Sequence, residues 1–362
     1  MTLKRYRFTT KADAEFVNTL RNRVEAYFED NKITRNADWR VHAKTIIVFT
    51  IALAPLVVMM TGIITNMWAL FGLWVVMGLG MAGIGTNVMH DALHGAYSSN
   101  PLVNKILGYS MNIVGASATT WRIQHNMLHH SFTNINHADE DIDVPKVLRF
   151  TPYQERKWIH RFQHRYAWLL YGLLTFSWVT VADFTSLFRY KKKGLVQEGE
   201  DFRKKFSYVT LWKVVYFVYI LVLPAIFIPA PLWAIFLMFF VMHFVMGVIL
   251  SATFQLAHVV ESTEILDEKE DPTFSYSWHV HQLRTTANFA EKSKIVTWYT
   301  GGLNFQVEHH LFPHICHIHY PKIAPIVAAT AKEFGVPYHS LGSLKDALRS
   351  HTSMLRQLGV AD

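Results

Sequence analysis

Two long stretches without a single Asp, Glu, Lys or Arg constrain this chain more than any other feature: Thr45 to Met89 and Val214 to Val260. An α-helix needs ~20 apolar residues to cross the hydrocarbon core of a bilayer, so each stretch holds enough for a hairpin of two spans. A soluble domain would need a very large core to bury uncharged runs of that length. Over the 362 residues the hydrophobic share is 51% and the charged share 17%, respectively above and below the values usual for soluble domains. The sequence therefore predicts an all-α integral membrane protein with four transmembrane helices in two hairpins. The spans are expected at about residues 45–66, 68–89, 210–229 and 232–257, with Pro55 tolerated as a kink. A secretory signal explains neither run, because the first forty-odd residues are polar. The lone Cys316 excludes an intramolecular disulfide.

The charges organise the rest. Residues 1–44 are basic and amphipathic, with Lys4, Arg5, Arg7, Lys11, Arg21, Arg23, Lys32, Arg35, Arg40 and Lys44, and are expected on the cytoplasmic membrane surface. Residues 90–206 form a polar loop with two semi-apolar pieces, Pro101–Trp121 and Tyr166–Phe188, read as interfacial or half-inserted helices. The membrane unit is drawn at 45–325, with a C-terminal tail at 326–362 and a helix near Lys322–Phe334. Both inter-span turns lack charge, while Lys and Arg concentrate in the N-terminal segment, the 90–206 loop and the C-terminal part. The positive-inside rule then puts both termini and the loop in the cytoplasm. Gly78-Leu79-Gly80-Met81-Ala82-Gly83 matches G-x-G-x-x-G, but it lies inside a span with no strand before it. It reads as close helix packing, not nucleotide binding.

Three histidine clusters fall on this one face. His90 and His94 are four apart, as are His125 and His129, with His130 beside them; Gln306 precedes His309 and His310 by three and four. Residues at these spacings share one side of a helix. His258, at the end of the fourth span, lies inside an apolar run, where an ionisable side chain is a functional candidate. One such pair arises easily by chance among 20 histidines; three clusters and His258 on one face do not. Eight imidazoles exceed the four ligands of one zinc, so two metal ions are expected. Imidazole alone leaves iron, copper, nickel and zinc open.

His90-x-x-x-His94, His125-x-x-x-His129-His130 and Gln306-x-x-His309-His310 together resemble the three histidine boxes of the membrane fatty acid desaturase family. The likeness extends to Ser131-Phe132-Thr133-Asn134-Ile135, to Asp139-Glu140-Asp141-Ile142-Asp143, to Gly301-Gly302-Leu303-Asn304 and to Leu311-Phe312-Pro313, covering about residues 45–325. The resemblance implies a cytoplasmic helical cap holding a di-iron site, with His90, His94, His125, His129, His130, His258, His309 and His310 as iron ligands and dioxygen as cosubstrate. Glutamine opening the third box resembles the front-end subgroup, which desaturates between an existing double bond and the carboxyl end. Gln306 departs from an all-histidine box; it coordinates weakly, holds a bound water or orients an imidazole. Asn304 and Asp141 are further candidates for weak ligation or support. The run Asp139, Glu140, Asp141, Asp143 either hydrogen-bonds imidazole N–H groups or is a solvated loop. Trp278, Gln282, Thr285, Thr286 and Asn288 resemble a subgroup motif and are expected to contact substrate or support the ligands.

The activity this resemblance implies is that of an oxidoreductase introducing a cis double bond into a fatty acyl chain, carried as acyl-lipid or acyl-CoA. The sequence contains no His-Pro-Gly-Gly haem motif, so electrons are expected from a separate donor, a ferredoxin or free cytochrome b5. Membrane lipid is the surrounding partner, and no nucleic acid is expected. A di-iron hydroxylase or ketolase would share the metal site and differ in product. A histidine-lined metal transporter fits less well, because its ligands belong at mid-membrane rather than at one face.

Overall fold

Helices carry nearly all of the chain's regular structure. The computed structural model describes residues 6–9, 11–268 and 273–361; Lys4 and Arg5, counted above in the basic segment, lie outside them. In chain order the principal helices are α1 (Ala14–Asn31), α2 (Trp39–Met60), α3 (Met67–Leu93), α4 (118–132), α5 (Trp158–Gly172), α6 (Leu174–Lys192) and α7 (Glu200–Phe227). After these come α8 (Leu232–His258), α9 (Trp278–Thr285), α10 (Gln306–Leu311), α11 (Tyr320–Glu333) and α12 (Leu344–Val360). Two short parallel pairings join Arg7–Phe8 to Thr273–Phe274 and Ala287–Phe289 to His339–Leu341.

Among the described residues, α2, α3, α7 and α8 are long and apolar enough to cross a membrane. Their ends follow capping chemistry rather than hydropathy. The Asp38 side chain accepts a hydrogen bond from the Arg40 N–H, so α2 starts at Trp39 and carries Arg40 and Lys44. Asn66 caps α3 in the same way. The helix of the third span begins as far back as Glu200 and includes Lys213. Its ammonium is buried against the Asp183 carboxylate (2.5 Å) and the carbonyls of Gly115 (2.6 Å) and Trp178 (2.7 Å). Helices α5 and α6 meet at a 51° bend.

The glycine run in α3 acts in packing. A Cβ on Gly80 would lie 2.4 Å from the Ala52 nitrogen in α2, and one on Gly78 would lie 2.6 Å from the Met242 carbonyl oxygen in α8. These two glycines let three spanning helices approach closely. The chain ends α3 and α8 at the same side of the bundle, where α1, α4 and α9–α12 form a cap.

Both ends of the chain are packed. Phe16, Val17, Leu20, Val24 and Phe28 of α1 are buried with Leu283, Phe305, Ile323 and Val327 of the cap. Helix α12 is anchored through His351, whose ring bonds the Val259 carbonyl and the Tyr171 hydroxyl, each at 2.7 Å. Arg149 holds the carbonyls of Leu358 and Ala361 at its end.

Candidate metal centre

The first cluster sits where α3 leaves the bundle. Gly85–Met89 is wound as a π-helix and hands over to an α turn at His90. The second cluster is wound the same way: Arg122–His129 is π-helical, and the His130 N–H donates to the His125 carbonyl five residues back. This winding decides which histidines face inward. On an α-helix of 3.6 residues per turn, a residue five along points about 140° away. At about 4.4 residues per turn, residues four and five along fall about 30° and 50° to either side. His125, His129 and His130 therefore all face one centre, which an ordinary helix would not allow.

The eight histidines form overlapping groups. His90, His94, His125 and His309 place donor atoms within 4.8 Å of one another; so do His129, His258 and His310, and His130 joins His309 and His310 in a third such set. The Nε2 atoms of His90 and His125 are 3.2 Å apart, as are those of His130 and His125.

One nitrogen of several rings is fixed from outside the cluster. His310 Nδ1 donates to Gln282 Oε1 (2.8 Å), His129 Nδ1 to Asp139 (3.0 Å) and His258 Nδ1 to the Thr285 carbonyl (3.3 Å). An N–H committed at Nδ1 leaves an Nε2 lone pair pointing the other way. The Nε2 atoms of His94, His258, His309 and His310 are buried without any hydrogen-bond partner. Unpaired buried polar atoms are costly, and four of them at one centre fit a bound metal. Burial holds the imidazoles of His94, His125, His130, His309 and His310 well below their ordinary pKa, His94 at about 3, so they are neutral and ready to ligate. His129 differs. Burial pulls it down, but the Asp139 and Asp141 carboxylates outweigh this and hold it at about 9.

The other expected site residues divide. Gln282 braces the cluster twice: Oε1 accepts from His310, and Nε2 donates to the His130 carbonyl (3.1 Å), to which the Trp278 indole also donates (3.0 Å). Asp141 lies 3.5 Å from His129 Nδ1 and 3.8 Å from His125 Nδ1. Gln306 is buried and its Nε2 has no partner, as is the case for the Thr286 hydroxyl. The Asn304 amide donates to the Phe289 carbonyl and the Thr297 hydroxyl. Asn288 pins α10, accepting from the Val307 N–H (2.9 Å) and donating to Glu308 (2.8 Å). The acidic run is mixed: Asp139 is fully buried on His129, while Glu140 binds Arg189 and Lys193.

Sequence reasoning left Glu308 without a role. Its carboxyl is buried among Asn288 and Tyr338, and burial raises it to about 8. An acid between the third cluster's glutamine and histidines was the available signal. The paired glycines before it have a steric cause. Gly301 has φ +61°, and a Cβ there would lie 2.2 Å from the Thr86 carbonyl oxygen in the π turn before His90. Gly301→Ala is expected to destabilise the protein by about 1–3 kcal/mol through strain and collision, read as a lower thermal midpoint in detergent. Gln282→Leu should lower activity by about 10–100-fold, the usual cost of losing a partner that orients a ligand, without reducing the yield of folded protein.

A cavity of about 700 Å³ opens against His94. Lys105, Arg122, Tyr109 and Tyr208 line it, and among the described residues no acidic one does.

Comparison with known proteins agrees with this geometry. The fatty acid desaturase family model matches residues 66–342. The chain is 32% identical over 345 residues to an sn-1 linoleoyl-lipid 6-desaturase of Arthrospira platensis, covering 95% of this chain and 93% of that one. It is 35% identical over 373 residues to the sn-1 linoleoyl-lipid 6-desaturase of Synechocystis sp., covering 100% and 99%. With an acyl-lipid (8-3)-desaturase of Physcomitrium patens it shares 34% identity, covering 97% of this chain and 74% of the other. Spanning helices that deliver buried imidazoles to one centre, and relatives aligned from end to end, have one common explanation: the chain belongs to the fatty acid desaturase family and is an oxidoreductase that desaturates fatty acids.

Proposed function

We propose that the eight histidines hold two iron ions and that the enzyme is a dioxygen-dependent, front-end acyl-lipid desaturase. His90, His94, His125 and His309 would hold one ion, His129, His258 and His310 the other, with His130 between them. Bound iron supplies the oxidising power that side chains lack: dioxygen, two electrons and two protons are converted to two waters while two hydrogens leave adjacent methylenes. The protein's own residues do the rest. Asp139, Gln282 and the Thr285 carbonyl fix ring orientation. The acyl chain enters by the cavity at His94, with Lys105 and Arg122 at the polar end of the lipid. The observation that carries this reading is the convergence of unpaired, buried Nε2 atoms in a chain similar to lipid-linked 6- and (8-3)-desaturases.

The cap and both termini are cytoplasmic in this reading, by the positive-inside rule. An acidic carrier, a ferredoxin or free cytochrome b5, delivers the electrons one at a time to the basic surface. Residues 45–325 form the membrane catalytic unit. Metal analysis of the purified protein, with mass spectrometry of fatty acids from a host expressing it, tests the whole. The expected result is bound iron and a new double bond on the carboxyl side of an existing one. Absence of iron together with unchanged lipids refutes it, and a hydroxylated product reassigns the chemistry.

A further inference from the structure

A second cavity, of about 450 Å³, is lined by none of the eight clustered histidines and lies between the start of α2 and the short helix Lys294–Tyr299. Lys44 lines it while only 7% exposed. Its ammonium donates to His317 Nε2 (3.0 Å) and lies 5.5 Å from the centre of the Trp298 ring. His317 passes its Nδ1–H to Asp91 (2.7 Å), so the nearest countercharge is one imidazole removed. A buried ammonium without a direct carboxylate is costly.

The rim adds positive charge. Arg40, Lys292 and Lys294 stand around it against one carboxylate, Glu291. Arg40 is paired with Asp38, and Glu291 is engaged by Asn288, Tyr338 and Ser340. Among the described residues, Lys292 and Lys294 have no ion-pair partner. The cavity therefore presents unbalanced cations at two depths.

Its surroundings say where it opens. The helix Lys294–Tyr299 buries none of its residues, and Ile295 is 81% exposed beside a Trp298 exposed at 43%. Ile46 and Ile47, just past Lys44 on α2, are exposed as well. The Tyr299 hydroxyl reaches back to the Leu79 carbonyl within α3. Exposed Ile and Trp below a ring of lysines is the profile of a bilayer boundary.

We infer that this cavity binds the phosphate of an anionic phospholipid headgroup, with Lys44 at its floor and Lys292 and Lys294 at its rim. The site is separate from the cavity at His94 and does not depend on the proposed reaction.

The test uses the full-length protein in nanodiscs of equal parts phosphatidylglycerol and phosphatidylcholine, with retained lipid read by native mass spectrometry. Wild type should retain phosphatidylglycerol preferentially. A cation near an anionic lipid surface changes binding about fivefold, so Lys44→Met should lower the preference by about that factor and Lys44→Arg should keep it. The surface pair Lys292→Gln/Lys294→Gln, which disturbs no buried group, should lower it further and serves if Lys44→Met does not fold. Inorganic phosphate at millimolar concentration should not displace the lipid. Equal retention of both lipids by wild type, an unchanged preference in the double variant, or displacement by free phosphate would overturn the assignment. None of these readouts involves desaturation, so loss of the catalytic reading would leave them standing.

Discussion

His309→Ala is expected to abolish desaturation, with a fall of more than about 100-fold, beyond what losing a mere orienting partner costs. His309 belongs to two of the donor groups. Its ring centre is 4.4 Å from that of His90 and 4.6 Å from that of His130, so its removal opens the arrangement from both sides. Its Nε2 is one of the buried atoms without a partner, and its Nδ1 meets only the Tyr320 hydroxyl at 3.4 Å. The ring therefore contributes little to the fold through hydrogen bonds, and the variant should still purify as folded protein. Iron content should fall with activity. Full iron occupancy with full activity would remove His309 from the ligand set. Asp139→Asn provides the contrast. It keeps a hydrogen-bond acceptor for His129 but removes the charge, and its loss should stay within about 10–100-fold.

Lys213→Met is expected to cost about 3–5 kcal/mol, because breaking a buried pair leaves its partner charge without compensation. The ammonium meets Asp183 and two backbone carbonyls, and the Thr120 hydroxyl donates to the same carboxylate. That network joins α7, α6 and the start of α4, the helix that carries the second histidine cluster. The loss should appear as a lower thermal midpoint in detergent. Adding Asp183→Leu should restore much of it, since no stranded carboxylate remains. A double variant no better than the single one would show that the carbonyl contacts, not the charges, hold this corner.

Lys213 marks the limit of a linear reading. The charge-free runs disclosed four spans because the cost of charge in hydrocarbon is written into composition. The histidine spacings disclosed the clusters because ligands on one helix must recur with its period. Lys213 escaped that logic: nothing along the chain pairs it with Asp183, and only the fold brings the two together. The partners of Asn304 were hidden too: its amide reaches the Phe289 carbonyl and the Thr297 hydroxyl, which only the fold brings beside it. The burial of α1 and the docking of α12 were equally hidden, since an amphipathic helix does not specify whether lipid or protein covers its apolar face.

The sequence by itself determined the membrane class and the residue types gathered at the centre, which follow from composition and spacing along the chain, and its histidine motifs carried the resemblance to the family. Tertiary structure decided which atoms meet. The π winding over Arg122–His129 turned His129 and His130 to the same side. Gln282 and Asp139 came to hold the rings, and Lys44 was left facing a cavity with its countercharge one residue away. These contacts join residues far apart in the chain, or hang on a small change in helical twist, and neither leaves a period in the sequence.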